Sequence, residues 1–180
     1  MIMTLSKRQS RIISKETNAI DFETLFEEHW NRLCSVLNRI LGDPQEAEDL
    51  ALEAFVQLHR HPPADDYNLG GWLYRVATNL GLNALRARKR RQYYEEQAGS
   101  LALDEISPEN PAATAERRLE SEKVRITLGS MKPRAAQVLI LRHSGLPYAE
   151  IAGVIGVSSG SIGTLLARAE KEFEERYRKE

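Results

Sequence analysis

Seven positions near the C-terminal end constrain the fold more than anything else in the sequence. Ile151, Ala152, Ile155, Gly156, Val157, Ile162 and Leu165 stand at the spacing that locks two short helices at a steep angle. Ala152 has to be small because the second helix crosses over it. Gly156 supplies a turn that needs left-handed backbone. Val157 plugs the corner, Ser158 caps the next helix, and Ile162 and Leu165 are expected to return to the core. The pattern predicts a helix-turn-helix from Pro147 to Glu170. A mere αα-hairpin in a bundle is the competing reading. In a helix-turn-helix the second helix lies in the major groove. Its candidate contacts are Ser158, Ser159, Ser161 and Thr164, with Arg168 one turn further on. Such hydroxyls meet bases or phosphates alike. Arg134 and Arg142, on the preceding helix, are candidates for the DNA backbone.

The rest of the chain also has a helical period, with no sustained alternation of period two. The fold class is therefore all-α. A first helix is expected from about Asp21 to Leu41, with Phe22, Leu25, Phe26, Trp30, Leu33, Leu37, Ile40 and Leu41 on its apolar stripe. Gly42 stops it. Asp43, Pro44 and Glu46 form the signature of a capping box with proline at the first helical position. The second helix places Ala47, Leu50, Ala51, Ala54, Phe55 and Leu58 inward and ends near His61. After a loop rich in Pro, Asp and Gly, a third helix opens at Asn68 or Gly70. It turns Trp72, Leu73, Val76, Ala77, Leu80 and Ala84 inward and finishes in Arg86, Arg88, Lys89, Arg90 and Arg91. Residues 92–112 lose periodicity and read as a linker. Four more helices are expected: from about Ala113 to Gly129, from Pro133, from Pro147, and from a Ser158 cap.

Charge is segregated along the 180 residues although the net value is only -1. Residues 21–66 carry -8 and residues 67–94 carry +6 with no acid; residues 95–123 carry -5 and residues 124–180 carry +3. A chain whose only partner is nucleic acid is usually basic throughout. Alternating blocks instead suit one acidic surface for a protein and separate basic surfaces for phosphate. On the third helix, Asn68, Trp72, Tyr74, Arg75, Thr78 and Asn79 are candidates for unstacked bases, and the basic end tracks phosphates. The bland alternatives are a core Trp72 and a solvated helix end favoured by the helix dipole. Glu46, Glu48, Asp49 and Glu53 lie on or beside the polar face of the second helix, followed by Asp65 and Asp66. They lack the partnered histidine spacing or Gly-rich phosphate loop that catalysis would need, and a protein-docking face fits better. No catalytic residue, metal or cofactor is expected.

The single cysteine, Cys34, excludes a disulfide framework and suits a reducing cytoplasm. It reads as a small buried hydrophobe. No stretch approaches the roughly 20 apolar residues of a membrane span. Met1 to Ile20 carries Lys7, Arg8, Arg11 and Lys15 without an apolar segment, so it is expected to be a solvated tail and not a secretory signal.

An acidic helix, an aromatic-to-basic helix and a C-terminal helix-turn-helix across a linker now stand in order. Together they resemble a bacterial sigma factor of the extracytoplasmic-function group, which keeps only sigma regions two and four. Asp43-Pro44-Gln45-Glu46-Ala47-Glu48-Asp49-Leu50, continuing to Glu53 and Phe55, is similar to the acidic segment of region two. Gly71 to Leu80 is similar to its aromatic helix, and Arg86 to Arg91 to its basic end. Met131-Lys132-Pro133-Arg134 with Leu139 to Leu141 resembles the opening of region four, as does Tyr148-Ala149-Glu150-Ile151-Ala152. One stretch departs from the pattern. Where the family's recognition helix usually carries Lys and Arg, this chain has Gly163 and Leu165.

The resemblance implies two small helical domains, the second a helix-turn-helix of the winged-helix-like region-four type. Its boundaries would be a tail at 1–19, region two at 20–92, a linker at 93–112 and region four at 113–178. It implies a cytoplasmic, non-enzymatic factor that binds RNA polymerase core and directs initiation at chosen promoters. Glu46, Glu48, Asp49 and Glu53 would dock on the β′ clamp helices. Asn68, Trp72, Arg75, Asn79, Arg86, Arg88, Lys89, Arg90 and Arg91 would open and hold the minus-10 element. The hydroxyl-rich helix would read the minus-35 duplex while region four sits against the β flap. An anti-sigma partner is also implied. The alternatives are an autonomous helix-turn-helix regulator, which usually needs a dimer, and a sigma-like interaction protein.

Overall fold

The computed structural model describes residues 21–63, 68–97 and 111–179. The N-terminal tail, Asp65, Asp66 and most of the linker lie outside the described residues. Helix α1 spans Phe22–Leu41. The Asp21 carboxylate caps it, accepting from the Thr24 amide at 3.1 Å and the Thr24 hydroxyl at 2.7 Å. It ends at Gly42, whose left-handed φ of 70° lets its N–H reach the Asn38 carbonyl at 2.7 Å. Helix α2 spans Pro44–Arg60, with the Asp43 carboxylate accepting from the amides of Gln45 and Glu46 at 2.9 and 3.1 Å. Only this half of the expected capping box forms, because the Glu46 carboxylate turns to Arg88 instead, at 2.6 Å.

Helix α3 spans Leu69–Gln97, running six residues past the expected end at Arg91. Residues 92–97 carry no glycine or proline to stop it. Helices α4 (Pro111–Ser130), α5 (Pro133–His143) and α6 (Tyr148–Ile155) follow, then a 3-10 turn at Ser159–Ser161 and α7 (Ile162–Tyr177). There is no strand among the described residues.

Three helices form the N-terminal half. Leu33, Leu37, Ile40 and Leu41 of α1 meet Ala47, Ala51, Ala54 and Leu58 of α2, all essentially inaccessible. The alanine stripe on α2 lets the backbones approach closely. Gly81 of α3 does the same against α1, since a Cβ there would stand 3.1 Å from the methyls of Ile40 and Leu37. At the end of the stripe, Phe26 stacks on Trp30 (ring centroids 4.7 Å apart) and tilts against Phe55.

The helix-turn-helix forms as its spacing requires. Gly156 adopts φ 74°, and the amides of Gly156 and Val157 both return to the Ala152 carbonyl, at 2.8 and 3.1 Å. The chain turns by 99° into the following helix. Two details differ from expectation. Ser158 precedes the 3-10 turn, and its hydroxyl pairs with that of Ser161 at 2.8 Å without capping an amide. Leu166, not Leu165, is the buried partner of Ile162 and Ala169, while Leu165 is half-buried at the edge. The inward stripe of α7 follows the four- and three-residue steps that keep one helix face.

Helix α3 is buried on more than one side. Its core residues are Leu73, Tyr74, Ala77, Thr78, Leu82 and Leu85, whereas Trp72, Val76, Leu80 and Ala84 are only partly covered. A single-stripe reading fails here because α1 and α2 take one flank and the C-terminal half takes another.

Gly42 carries a second duty. The Arg125 guanidinium of α4 lies against it, in the space a Cβ would fill. Gly42→Ala is expected to destabilise the chain by about 1–2 kcal/mol from left-handed strain alone, and further by displacing Arg125. A denaturant midpoint unchanged from wild type would contradict this.

Candidate nucleic-acid interface

Arg75, Thr78, Asn79 and Arg86 recur along one side of α3 at spacings of three, four and seven residues, so their side chains project toward one neighbour. That neighbour is the C-terminal half. The Arg75 Nε donates to the Val154 carbonyl at 2.6 Å. The Gln137 amide of α5 donates to Asn79 Oδ1 at 2.8 Å and to Thr78 Oγ1 at 3.0 Å. Arg86 donates to the carbonyls of Gly129 and Met131, at 3.1 and 3.4 Å. Arg32 of α1 faces Glu150 at the start of α6, 3.7 Å away. Thr78 meanwhile donates its own proton to the Tyr74 carbonyl at 2.7 Å, so its oxygen is oriented to accept from Gln137. The two halves are held together by a polar seam along the face that sequence reasoning assigned to DNA.

The remaining residues of that set divide. Asn68 is the N-cap of α3, its Oδ1 accepting from the Gly71 amide at 2.9 Å. Trp72 is half-buried against the core. Tyr74 and Thr78, expected to meet bases, are instead buried. Arg88 bends back, donating to the Leu41 carbonyl at 3.2 Å and pairing with Glu46 at 2.6 Å. One residue assigned to DNA and one assigned to protein docking thus bind each other, tying α3 to the α1–α2 corner. Lys89, Arg90 and Arg91 are exposed.

On α2, Glu48 and Asp49 are exposed, and Glu53 accepts from the Gln57 amide at 3.0 Å. Leu52 stands between the acids with half its surface exposed. Sequence reasoning passed over it, although an apolar residue breaking the polar face was the available signal. On the helix-turn-helix, Ser158, Ser159, Thr164 and Arg168 are exposed and Ser161 is half-buried. A Cβ on Gly163 would meet nothing within 4 Å, so the face is open as well as thinly basic. Arg142 lies over the Tyr148 ring, 5.2 Å from its centroid. Between α4, α5 and α7 runs an apolar groove of about 510 Å³, lined by Val124, Leu128, Leu139, Ile140 and Phe173. Arg39 of α1, His143, Glu170 and Glu174 line it as well, and no local motif announces it because its walls come from four separate helices.

Burial pushes the Cys34 thiol up, with Glu48 adding to the effect, as suits an unreactive side chain. Burial likewise holds the His29 imidazole below its ordinary value; its ring sits edge-on to Tyr74, 5.9 Å between centroids. Among the described residues, no group of three His, Cys, Asp or Glu is placed to hold a metal ion. No single described helix is long and apolar enough to cross a membrane.

The family model for sigma-70 region 2 matches residues 25–91, covering the acidic helix and the basic one. The model for sigma-70 region 4 matches residues 121–173, covering the groove and the helix-turn-helix. The chain belongs to the sigma-70 family. Within that family it is a factor of the extracytoplasmic-function group. It is 26% identical to the ECF RNA polymerase sigma factor SigW of Bacillus subtilis, over 99% of both chains. It is 28% identical to SigE of Mycolicibacterium smegmatis, over 84% of this chain and 60% of that one. The fold is similar to that of the sigma factor RpoE of Bartonella quintana, solved in complex with the anti-sigma factor NepR. The TM-score is 0.51 at 19% identity, over 89% of this chain and 98% of RpoE. As a sigma factor, the chain binds RNA polymerase core and directs initiation at particular promoters.

Proposed function

We propose that this sigma factor alternates between two covers for one face of α3. In the free chain the cover is region four. In the promoter complex it is the non-template strand of the minus-10 element, held by Asn68, Trp72, Arg75 and Asn79, with phosphates on Lys89, Arg90 and Arg91. The observation that carries the reading is the Gln137 amide on Asn79 and Thr78, hydrogen bonds of the kind an exposed base edge would make. Region two would then extend over 20–92 and region four over 113–178, joined by the 93–112 linker. The factor itself performs no bond chemistry, which belongs to the polymerase, and acts in the cytoplasm with it.

Docking on the β′ clamp helices is assigned to Glu48, Asp49 and Leu52, with Glu53 at the edge. Glu46 contributes by fixing Arg88. The groove between α4, α5 and α7 accepts an apolar segment of the β flap. Ser158, Ser159, Ser161, Thr164 and Arg168 face the minus-35 duplex. An anti-sigma protein would act by blocking these surfaces.

Run-off transcription with core polymerase and genomic fragments tests the reading. Promoter-specific transcripts above core background are expected. Their absence, together with tight specific duplex binding by the free chain, would favour an autonomous helix-turn-helix regulator. Leu52→Asp is expected to weaken core binding about tenfold, near 1.4 kcal/mol, without lowering thermal stability, since the side chain is exposed. Undiminished core binding in a pull-down titration would remove α2 from the docking surface.

A further inference from the structure

The apolar groove of about 510 Å³ falls within the range of sites that bury a ligand, roughly 300–1,000 Å³. Its floor is apolar, from Val124 and Leu128 of α4, Leu139 and Ile140 of α5 and Phe173 of α7. Glu170 and Glu174, both exposed, stand one turn apart on its α7 rim. Arg39, near the C-terminal end of α1, lines it too, so the groove lies against both halves of the chain. Assigning it to the β flap says nothing of what covers it before the polymerase arrives.

Residues 1–20 lie outside the described residues, and their composition suits the groove. Met1, Ile2, Met3 and Leu5 place four apolar side chains in five positions. That is too few for a secretory segment but enough to cross a groove floor, and methionine fills irregular gaps well. Lys7 and Arg8 follow directly, opposite in sign to Glu170 and Glu174. The reach is sufficient. Arg39 stands 18 residues after Asp21, about 27 Å along α1 at 1.5 Å per residue. The 16 residues from Leu5 to Asp21 extend to about 53 Å.

We propose that residues 1–8 occupy this groove in the free factor and are displaced when the β flap enters. The displacement rests on the flap assignment; the docking does not. Burial of the four apolar side chains drives the contact. The exposed ion pairs add little energy and set its direction. Because the segment is tethered, it competes with the flap at a high effective concentration.

Photo-crosslinking of the full chain without polymerase tests the docking. Met3 is replaced by p-benzoylphenylalanine, the protein is irradiated, and the adducts are mapped by mass spectrometry. Adducts within one chain, to α4, α5 or α7 at the groove, are expected. I2D/L5D should lower their yield about tenfold or more, and E170K/E174K severalfold. Adding K7E/R8E to E170K/E174K should restore the yield, which general destabilisation would not do. Adducts elsewhere, adducts only between chains (as a second copy in the groove would give), or a yield unchanged in I2D/L5D would each overturn the proposal. Titration of core polymerase then tests the displacement. With Met3 intact, I2D/L5D is expected to bind core at least about threefold more tightly, because no fraction of grooves is filled beforehand. Groove adducts with unchanged core affinity would keep the docking and overturn the displacement, removing the flap and not the tail from this groove.

Discussion

Replacing Gln137 by alanine is expected to raise the free chain's affinity for forked minus-10 promoter DNA roughly 5- to 150-fold. The substitution removes two hydrogen bonds across the seam, to Asn79 at 2.8 Å and Thr78 at 3.0 Å. Each such bond contributes about 0.5–1.5 kcal/mol net, so the closed form loses about 1–3 kcal/mol relative to the open one. Little is left unsatisfied on α3, because Thr78 keeps its bond to the Tyr74 carbonyl and Asn79 is exposed. Alanine also favours the helix. Arg75→Ala would open the same seam by releasing the Val154 carbonyl, but it would delete a candidate ligand for the strand as well. Gln137 is therefore the cleaner probe. The measurement is equilibrium binding of a promoter fragment identified by run-off transcription, against a shuffled fork of equal length. Equal affinities for wild type and Q137A would show that the seam does not limit access to α3.

Splitting the basic end of α3 is expected to separate stability from promoter opening. Arg88 is a structural residue. It binds the Leu41 carbonyl and Glu46, with about two thirds of each side chain covered. Arg88→Ala should cost about 1–2 kcal/mol after allowance for solvent screening, and lower the melting temperature by roughly 2–8 °C. Lys89, Arg90 and Arg91 are exposed. Changing these three to alanine should leave the melting temperature near wild type and core binding intact. Run-off transcription should fall tenfold or more. The salt dependence of single-strand binding should lose about two units of slope, at about 0.7 per phosphate contact. Loss of core binding in the triple variant would place part of the docking surface on α3. A stable Arg88→Ala variant would show that the Glu46 pair contributes nothing measurable.

The closed seam also predicts, on steric grounds, that the free chain binds promoter DNA weakly. The acidic blocks along the sequence supply only a diffuse electrostatic ground. Residues 21–66 carry -8, but exposed charges a Debye length away are largely screened at physiological salt. The contact of the Arg75 Nε with the Val154 carbonyl at 2.6 Å is short-range and is not screened in this way.

The local structure was legible in the sequence because its causes are local. Asp21 and Asp43 cap the helices that follow them, and Gly42 and Gly156 supply the left-handed turns. The apolar periods of α1 and α2 return most of the observed cores, although Phe26 is exposed and Val36, left off the stripe, is buried. The sequence also carried the ordered motifs of regions two and four, which are recognisable from residue type and spacing. What it left open was which faces meet. Helix α3 shows one apolar stripe to a periodicity argument, yet it is buried on several sides, and Tyr74 and Thr78 go to the core. Arg88 and Glu46 each read as a ligand for an outside partner until the fold brings them within 2.6 Å of one another. The sequence by itself determined the helices, the Asp21 and Asp43 caps and the motifs of the two regions, through interactions spanning a few residues, whereas the expected Ser158 cap did not form. Only the tertiary structure decided that the α3 face we assign to DNA is closed by Gln137 and Val154, because those bonds join residues 58 and 79 positions apart. No pattern within a single helix records such a pairing.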